Sequence, residues 1–341
     1  MTSISDVAKL AGVSVTTVSR VMNNDAHRVN EQTRRRVLEA IETLNYVPNM
    51  LARALASDKT RMIGVIVGDA SDPYFATIVR GISDAAREHN YLTLMCNTDR
   101  IPEVELNYVR TLRDYNVDGI IFAGGGLTEK THLEELDGLI SKLQANHVPV
   151  VALGNHALKV PQVRCDDTQC SYDMTEYLIR LGHRRIGFIS GPDGLTTSAL
   201  RLDGYRKALD KHGIPFDAAL VSSGDFTVEG GQRAADYFVA SPNLPTAIFG
   251  ANDREALGCL FQLQQHGIDV PGQVSVAGLD DIETAQYVYP SLTTIRIPMY
   301  EIGAMGMQQI LQTMHEASSV EAVHILPYSL IERGSTAAVS K

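Results

Sequence analysis

Only four cysteines occur in this 341-residue chain, at Cys96, Cys165, Cys170 and Cys259. Their spacing fits neither a zinc ligand set nor a redox pair, so they are expected to be reduced and mostly buried as small hydrophobes. The ten histidines show no paired-ligand spacing, and neither a structural metal nor a cofactor is expected. No apolar run approaches the roughly 18 residues that a membrane span needs. The polar N-terminus around Asp6 lacks the charged-then-apolar order of a secretory signal, which predicts a cytoplasmic protein with no membrane partner. Also missing are a nucleophile elbow, a phosphate-cradling Walker run and a well-placed dinucleotide fingerprint, so an enzyme is not expected. The cluster Gly124-Gly125-Gly126 reads more simply as a turn than as a phosphate cradle, and the many carboxylates as solvated helix faces.

What is present is an ordinary globular composition, 44% hydrophobic and 21% charged, which excludes a disordered or low-complexity chain. The length implies two or three domains at roughly 100 to 200 residues each. Thirty basic residues stand against 40 acidic ones for a net charge of -10, which taken alone argues against nucleic acid. Charge is unevenly spread, however. Residues 1–60 hold 8 lysines and arginines against 6 acids, net +2, and the remaining 281 residues hold 22 against 34, net -12. Such asymmetry suggests a small head that meets phosphates, on a body that does not.

The head reads as three helices. Ser5 to Ala11 places Val7, Ala8 and Ala11 on one face, and Gly12 suits the left-handed conformation that ends a helix. Val13 can plug the core, and Ser14 can cap a second helix running through Asn23, the spacing of a helix-turn-helix. In that helix Val18, Val21 and Met22 recur at three and four residues and turn inward, leaving Val15, Thr16 and Arg20 outward. These three suit base edges: the arginine fork fits guanine, the threonine hydroxyl bonds either base type, and valine methyls meet thymine. Ser14, Thr17, Ser19 and Asn23 are short donors suited to phosphates. A third helix, from Asn30 as N-cap to about Leu44, closes the core with Val37, Ala40, Ile41 and Leu44; the competing reading is a plain helical bundle with a solvated Arg34-Arg35-Arg36 run.

The runs Ser5-Asp6-Val7-Ala8, Ala11-Gly12-Val13-Ser14, Thr17-Val18-Ser19-Arg20-Val21 and Asn45-Tyr46-Val47-Pro48-Asn49 together resemble the DNA-binding head of the LacI family of bacterial repressors. One departure is the inserted-looking loop Asp25-Ala26-His27-Arg28, slightly longer than in the lactose repressor, which is expected to leave the helices intact. The resemblance implies further DNA contacts at Asn30, Tyr46, Asn49 and Ala52. Residues 49 to 56 have a helix-forming composition but span only about two turns, too few to be stable alone in water. By resemblance they are a hinge helix that folds when two copies meet over the minor groove, with Leu55 wedged between central base pairs. The alternative is that Leu51 and Leu55 dock on the next domain.

From Arg61 short β-rich runs alternate with helical patterns, which predicts two doubly wound parallel sheets. The first series is Ile63 to Val67, Leu92 to Met95, Gly119 to Phe122 and Val148 to Leu153. The second is Val163 to Cys165, Ile186 to Ser190, Leu220 to Ser222, Ala247 to Phe249 and Val274 to Ala277. A crossing near Leu292 to Arg296, a helix from Met299 to Met314 and one last strand near His324 to Ile331 complete the pattern. This layout resembles the type I periplasmic sugar-binding fold used by the same family as its effector domain.

Ligands of open parallel sheets sit beyond the strands' carboxyl ends. Just past the predicted strands stand Asp69, Asp72, Tyr74 and Phe75; Asn97; Asn155; Thr197 and Arg201; Phe226; Asn252 and Asp253; and Asp280. Short acids and amides with an arginine fork suit neighbouring hydroxyls, and an aromatic face suits a ring, so a sugar or nucleoside is the expected guest. Carried over by resemblance, Arg201 contacts the guest's hydroxyls or carboxylate, Phe226 is a platform, Asn252 a hydrogen-bonding amide and Asp280 an acidic partner. Helix capping competes as the role of Asp280 and of Asp253. Gly154 and Ile297 replace an aspartate and a glutamine of the family's galactoside-binding pattern, so that specificity is not expected here.

Gln308 stands where an arginine would pair a phosphorylated carrier protein in some relatives, which disfavours that mode; the helix that contains it, Met-rich and small-residued, is expected in a dimer face. No heptad tail follows Glu332-Arg333-Gly334-Ser335-Thr336 to build a tetramer. The expected organisation is a head over 1–46, a hinge and linker over 47–60, and an effector-binding and dimerisation body over 61–341. Within the body one lobe would take about 61–160 plus 294–322, the other about 161–293 plus 323–341. The function expected is that of a dimeric transcriptional repressor on a palindromic double-stranded DNA operator, controlled by a small effector. A transporter's solute-binding protein would share the body but not the head.

Overall fold

The computed structural model describes residues 2–22, 29–46, 59–315 and 323–339. The chain divides into two compact units, Met1–Thr60 and Arg61–Lys341. Among the described residues no helix is long and apolar enough to cross a membrane.

In the first unit α1 (Ile4–Ala11) begins at Ser3 with a capping box shared with Asp6 and ends at Gly12, whose φ of 64° only glycine adopts without strain. Helix α2 (Val15–Met22) starts at Ser14, whose hydroxyl accepts the Thr17 amide at 3.1 Å. Helix α3 (Glu31–Thr43) starts at Asn30, whose side chain accepts the Thr33 amide at 2.8 Å. These caps occupy amide groups that a short helix would otherwise leave unsatisfied, each contributing about 1 kcal/mol. Val7, Ala8, Ala11, Val18, Val21, Val37 and Ala40 form the buried core, with Val13, Met22, Ile41, Leu44 and Tyr46 packed partly against it.

In the second unit, six parallel strands form the first sheet in the order β11-β5-β4-β3-β1-β2. They are β1 (Met62–Val67), β2 (Leu92–Asn97), β3 (Gly119–Ala123), β4 (Val150–Leu153), β5 (Gln162–Arg164) and β11 (Val323–Ile325). Strand β1 shows how the sheet is covered on both faces. Ile63, Val65 and Val67 pack toward α4 (Pro73–Glu88) and α11 (Met299–His315), while Ile66 points to the opposite core under α5 (Pro102–Asp114) and α6 (Lys130–Ala145). Gly81 and Gly303 let α4 and α11 approach closely, since a Cβ on either would strike the other helix's backbone.

A second sheet, β7-β6-β8-β9, is also parallel and comprises β6 (Ile186–Ser190), β7 (Val221–Ser223), β8 (Ala247–Gly250) and β9 (Ser275–Ala277). Helices α7 (Asp167–Arg180) and α8 (Thr196–Lys211) cover one face and α9 (Val228–Val239) and α10 (Asp253–Gln265) the other. Beyond β9 lies an antiparallel pair, β10 (Thr294–Arg296) with β12 (Ser329–Ile331). Two parallel-sheet lobes with helices on both faces are therefore the architecture of the body.

Two strand assignments differ from the sequence reading. The run at Val163 belongs to the first sheet, because the Ala152 amide donates to Pro161 and lays this segment beside β4. The run His324 to Ile331 is two strands rather than one. Leu326 donates to Arg164, which fixes β11 beside β5, but Pro327 has no N–H to continue a ladder and the chain crosses to the second lobe before β12. The boundaries near 161 and 323 consequently fall later in the chain, after β5 and after β11. The lobes are joined by three passages, following β5, at Ile297 and at Leu326 to Tyr328.

Candidate functional site

On the head, the face away from the core carries the residues suited to DNA. Val15, Thr16 and Arg20 are exposed on α2, while Val18 and Val21 are buried beneath them. Ser14 is exposed and its hydroxyl also meets that of Thr17 at 2.9 Å. Thr17 and Ser19 are half-exposed, and Asn30 is exposed at the start of α3. Tyr46 packs its ring in part on the head's core and is otherwise half-exposed. Asn23, the loop 25–28, and the hinge positions Asn49, Leu51, Ala52 and Leu55 lie outside the described residues.

In the body, the carboxyl ends of both sheets' strands face one cleft enclosing about 690 Å³, open solvent at its mouth included. From the first lobe come Gly68, Asp72, Tyr74 and Phe75 after β1, Thr98 and Arg100 after β2, Gly124 after β3 and His156 after β4. From the second come Thr197 and Arg201 on α8, Phe226 after β7, Asn252 after β8 and Asp280 after β9. Seven of the ten sequence-assigned effector residues line this cleft: Asp72, Tyr74, Phe75, Arg201, Phe226, Asn252 and Asp280.

Three do not. Asp253 is fully buried, its carboxylate accepting the Ile282 amide at 2.8 Å and the Thr294 hydroxyl at 2.5 Å; it ties α10 to the chain after β9 rather than meeting a guest. Burial raises its pKa to about 7. Asn155 donates to Asp167 at 2.7 Å, and its carbonyl accepts from Thr196, so it links segments behind the cleft wall. Asp69 sits at the rim, bound to Ser71 and, at 3.0 Å, to Arg254 of the opposite lobe. Asn97, also placed past a strand end, spends its side chain on the Ala70 amide and on Asp99.

Arg201 is the electrostatic centre. Its side chain is buried, with Nε donating to Asp167 at 2.9 Å, Nη1 to the Ala251 carbonyl at 2.5 Å and Nη2 to Asp280 at 3.3 Å. Burial opposes its charge, but Asp280 and Asp167 outweigh burial and hold its pKa above the usual arginine value. Three of five N–H groups are thereby used, leaving two for a guest. Asp280 lies 4% exposed, and burial, reinforced by Asp253 and Asp72, pushes its carboxyl well above the usual range despite Arg201. It caps no helix, which removes the competing role considered for it; its backbone joins the segment after β9 to β10.

The aromatic platform is held under strain. Phe226 has φ of 63°, a conformation bulky side chains rarely take, and its amide donates to the buried Glu255 carboxylate at 2.8 Å. Glu255, uncharged-leaning through burial, is thus a positioning residue that sequence reasoning did not find. Asn252 caps α10 through the Glu255 amide and donates to the Phe226 carbonyl at 3.3 Å, binding platform and helix together. Asp72 caps α4 through Tyr74 at 2.9 Å, and burial raises its pKa.

The lobes meet on two sides of this space. Arg254 on α10 reaches Asp69 at 3.0 Å and Asp72 at 3.5 Å. Opposite, Leu127 and Leu195 form an antiparallel bridge, and Gly126 and Thr196 exchange hydrogen bonds at 3.0 Å. Arg100 and His156 also line the cleft and were not identified from sequence. Arg100 stands only three residues past Asn97, so extending the strand-end rule by one turn would have reached it. Nothing local marks His156, whose Nε2 donates to the Gly124 carbonyl at 3.1 Å; burial lowers its pKa.

The family model for bacterial regulatory proteins of the lacI family matches residues 3–49. The model for periplasmic binding proteins and the sugar binding domain of the LacI family matches residues 60–333. The chain is similar to catabolite control protein A of Priestia megaterium, 36% identical over 337 residues that cover 98% of this chain and 99% of that protein. It is similar to the HTH-type transcriptional repressor CytR of Escherichia coli strain K12, 35% identical over 339 residues, 99% of this chain and 97% of that one. Among solved structures, the Lac repressor dimer bound to operator and the anti-inducer ONPF matches with a TM-score of 0.88, 28% identity and 99% coverage of each chain.

Proposed function

The chain belongs to the LacI family of bacterial DNA-binding transcriptional regulators, and from that premise we propose that it is a dimeric repressor released or engaged by a small polyhydroxylated effector in the body's cleft. The observation that carries this reading is the convergence of eight strand ends from two lobes on one space furnished with an arginine fork, acids, an amide and an aromatic face. Paired hydrogen-bonding groups opposite a ring suit the vicinal hydroxyls and apolar face of a sugar or nucleoside.

On DNA, two heads take the half-sites of a near-palindrome. Val15, Thr16 and Arg20 meet base edges; Ser14, Thr17, Ser19, Asn23 and Asn30 meet phosphates. Leu55 of each hinge enters the minor groove at the centre, with Tyr46, Asn49 and Ala52 flanking it. The protein works in the cytoplasm.

The coupling is linkage. Arg254 with Asp69 and Asp72 favours approach of the lobes, and a guest that contacts Arg201, Asn252 and Asp280 from one lobe and Asp72 and Phe75 from the other favours it further. An effector shifts operator affinity by as much as it distinguishes the lobe arrangements, and no more. Rounds of selection of random duplexes on the full-length protein test the DNA half of this proposal: enrichment of a near-palindrome with two equivalent half-sites is expected, and recovery of an unrelated or asymmetric set would overturn it.

A further inference from the structure

Two arginines line the cleft and another, Arg254, spans its rim; two of the three are neutralised by the protein itself. Arg201 is paired with Asp167 and Asp280, and Arg254 with Asp69 and Asp72. No carboxylate pairs with the third, Arg100, among the described residues. Its guanidinium lies instead between two rings, 5.9 Å from the centroid of Phe75 and 5.7 Å from that of Phe226. The other acid in range, Asp225, is engaged by Thr227 and Arg233.

This placement is built into the fold. The Arg100 backbone adopts φ of 59° and its amide donates to Thr98, whose hydroxyl is tied to the Val67 carbonyl at 3.0 Å. Gly68 provides the channel: a Cβ there would stand 3.3 Å from both Arg100 Nε and Phe75 Cζ, tighter than side chains normally pack. A half-buried cation against two aromatic faces is stabilised by the rings but keeps its hydrogen-bonding fork unfilled. The group that fills such a fork with charge and geometry together is a planar carboxylate or a phosphate.

We infer that the effector is an anionic polyol, its carboxylate or phosphate held by Arg100 between Phe75 and Phe226 while its hydroxyls meet Arg201, Asn252 and Asp280. Phe226 stands between the two halves, its ring 5.7 Å from Arg100 and 6.0 Å from Arg201. The inference rests on the reading of the cleft as an effector site and narrows its guest to charged sugars: uronates and aldonates on one side, sugar phosphates on the other.

The test uses full-length protein in phosphate- and sulfate-free buffer, with glucose, galactose, mannose, ribose and arabinose, each offered as the neutral sugar, its acid and its phosphate monoester. Thermal shift finds the binders and calorimetry measures them. Binding is expected from charged members only, and the acid and phosphate arms identify which anion. Arg100→Gln is expected to lower the ligand-free Tm only slightly, through the lost ring contacts and with no protein carboxylate losing its partner, yet to weaken the best binder roughly ten- to hundredfold. Arg100→Lys should recover part of that loss. A neutral sugar bound as tightly as its charged forms, lost in Phe226→Ala but indifferent to Arg100→Gln, would overturn the anionic inference while keeping the cleft. Silence from every compound, or binding untouched by Phe226→Ala, would overturn both.

Discussion

Replacing Arg201 by Met keeps much of the side chain's length while removing its charge and donors. The variant strands Asp167 and Asp280, whose side chains are 13% and 5% exposed, and leaves the Ala251 carbonyl without its partner. Removing one member of a buried ion pair costs on the order of 3 to 5 kcal/mol, because the remaining charge is uncompensated. Protonation relieves that charge. Without Arg201 the Asp280 carboxyl, already pushed above the usual range by burial, loses the cation that lowers it, so the folded variant binds more protons than the unfolded chain from about pH 4 up to that raised value. Stability of the variant therefore falls as pH rises through that window, and its deficit against the wild type widens. The chain contains no tryptophan, so urea unfolding is followed by far-UV circular dichroism at pH 5 and pH 8. A deficit of about 3 kcal/mol or more at pH 8, shrinking toward pH 5, is expected. A variant within about 1 kcal/mol of wild type at pH 8, or with a deficit that grows on acidification, would refute the reasoning. The consequence for function is that loss of ligand response in an Arg201 variant must be separated from loss of the fold.

Asp253, with a pKa near 7, titrates separately. Its raised value means that the wild-type body loses stability as pH rises from about 4 to about 7, and Asp253→Asn should flatten urea midpoints across that interval. Ser14→Ala removes the cap of α2 and should lower head stability by about 0.5 to 2 kcal/mol, seen as a lower melting midpoint of the head's helical signal. Arg20→Ala, exposed on α2 and remote from the head's core, should leave that midpoint in place but weaken operator binding by about 1 to 3 kcal/mol and relax preference at one base pair of each half-site in competition gel shifts.

The local signals proved easiest to read. Gly12, Ser14 and Asn30 are helix boundaries because their own backbones and side chains decide them, and the inward set Val7, Val18 and Val37 follows from helical periodicity. The cleft was legible to the extent that strand ends converge by topology, which brought Arg201, Phe226 and Asp280 together from distant positions. Which neighbour points inward was not legible. Asn252 and Asp253 are adjacent, yet one faces the cleft and the other the Thr294 hydroxyl, a choice made by how α10 packs on the chain after β9. Strand membership failed for the same reason: Val163 is apolar enough for either sheet, and only pairing with β4 and β11 assigns it.

The most direct test of the central claim, that the cleft and the DNA-binding head are energetically linked, is a reciprocal titration with the effector found by the sugar panel. Operator affinity is measured with and without saturating effector, and effector affinity with and without operator, at one salt concentration. The account predicts the same factor in both directions, roughly 5- to 150-fold. An operator affinity unchanged by an effector that saturates the cleft would contradict it.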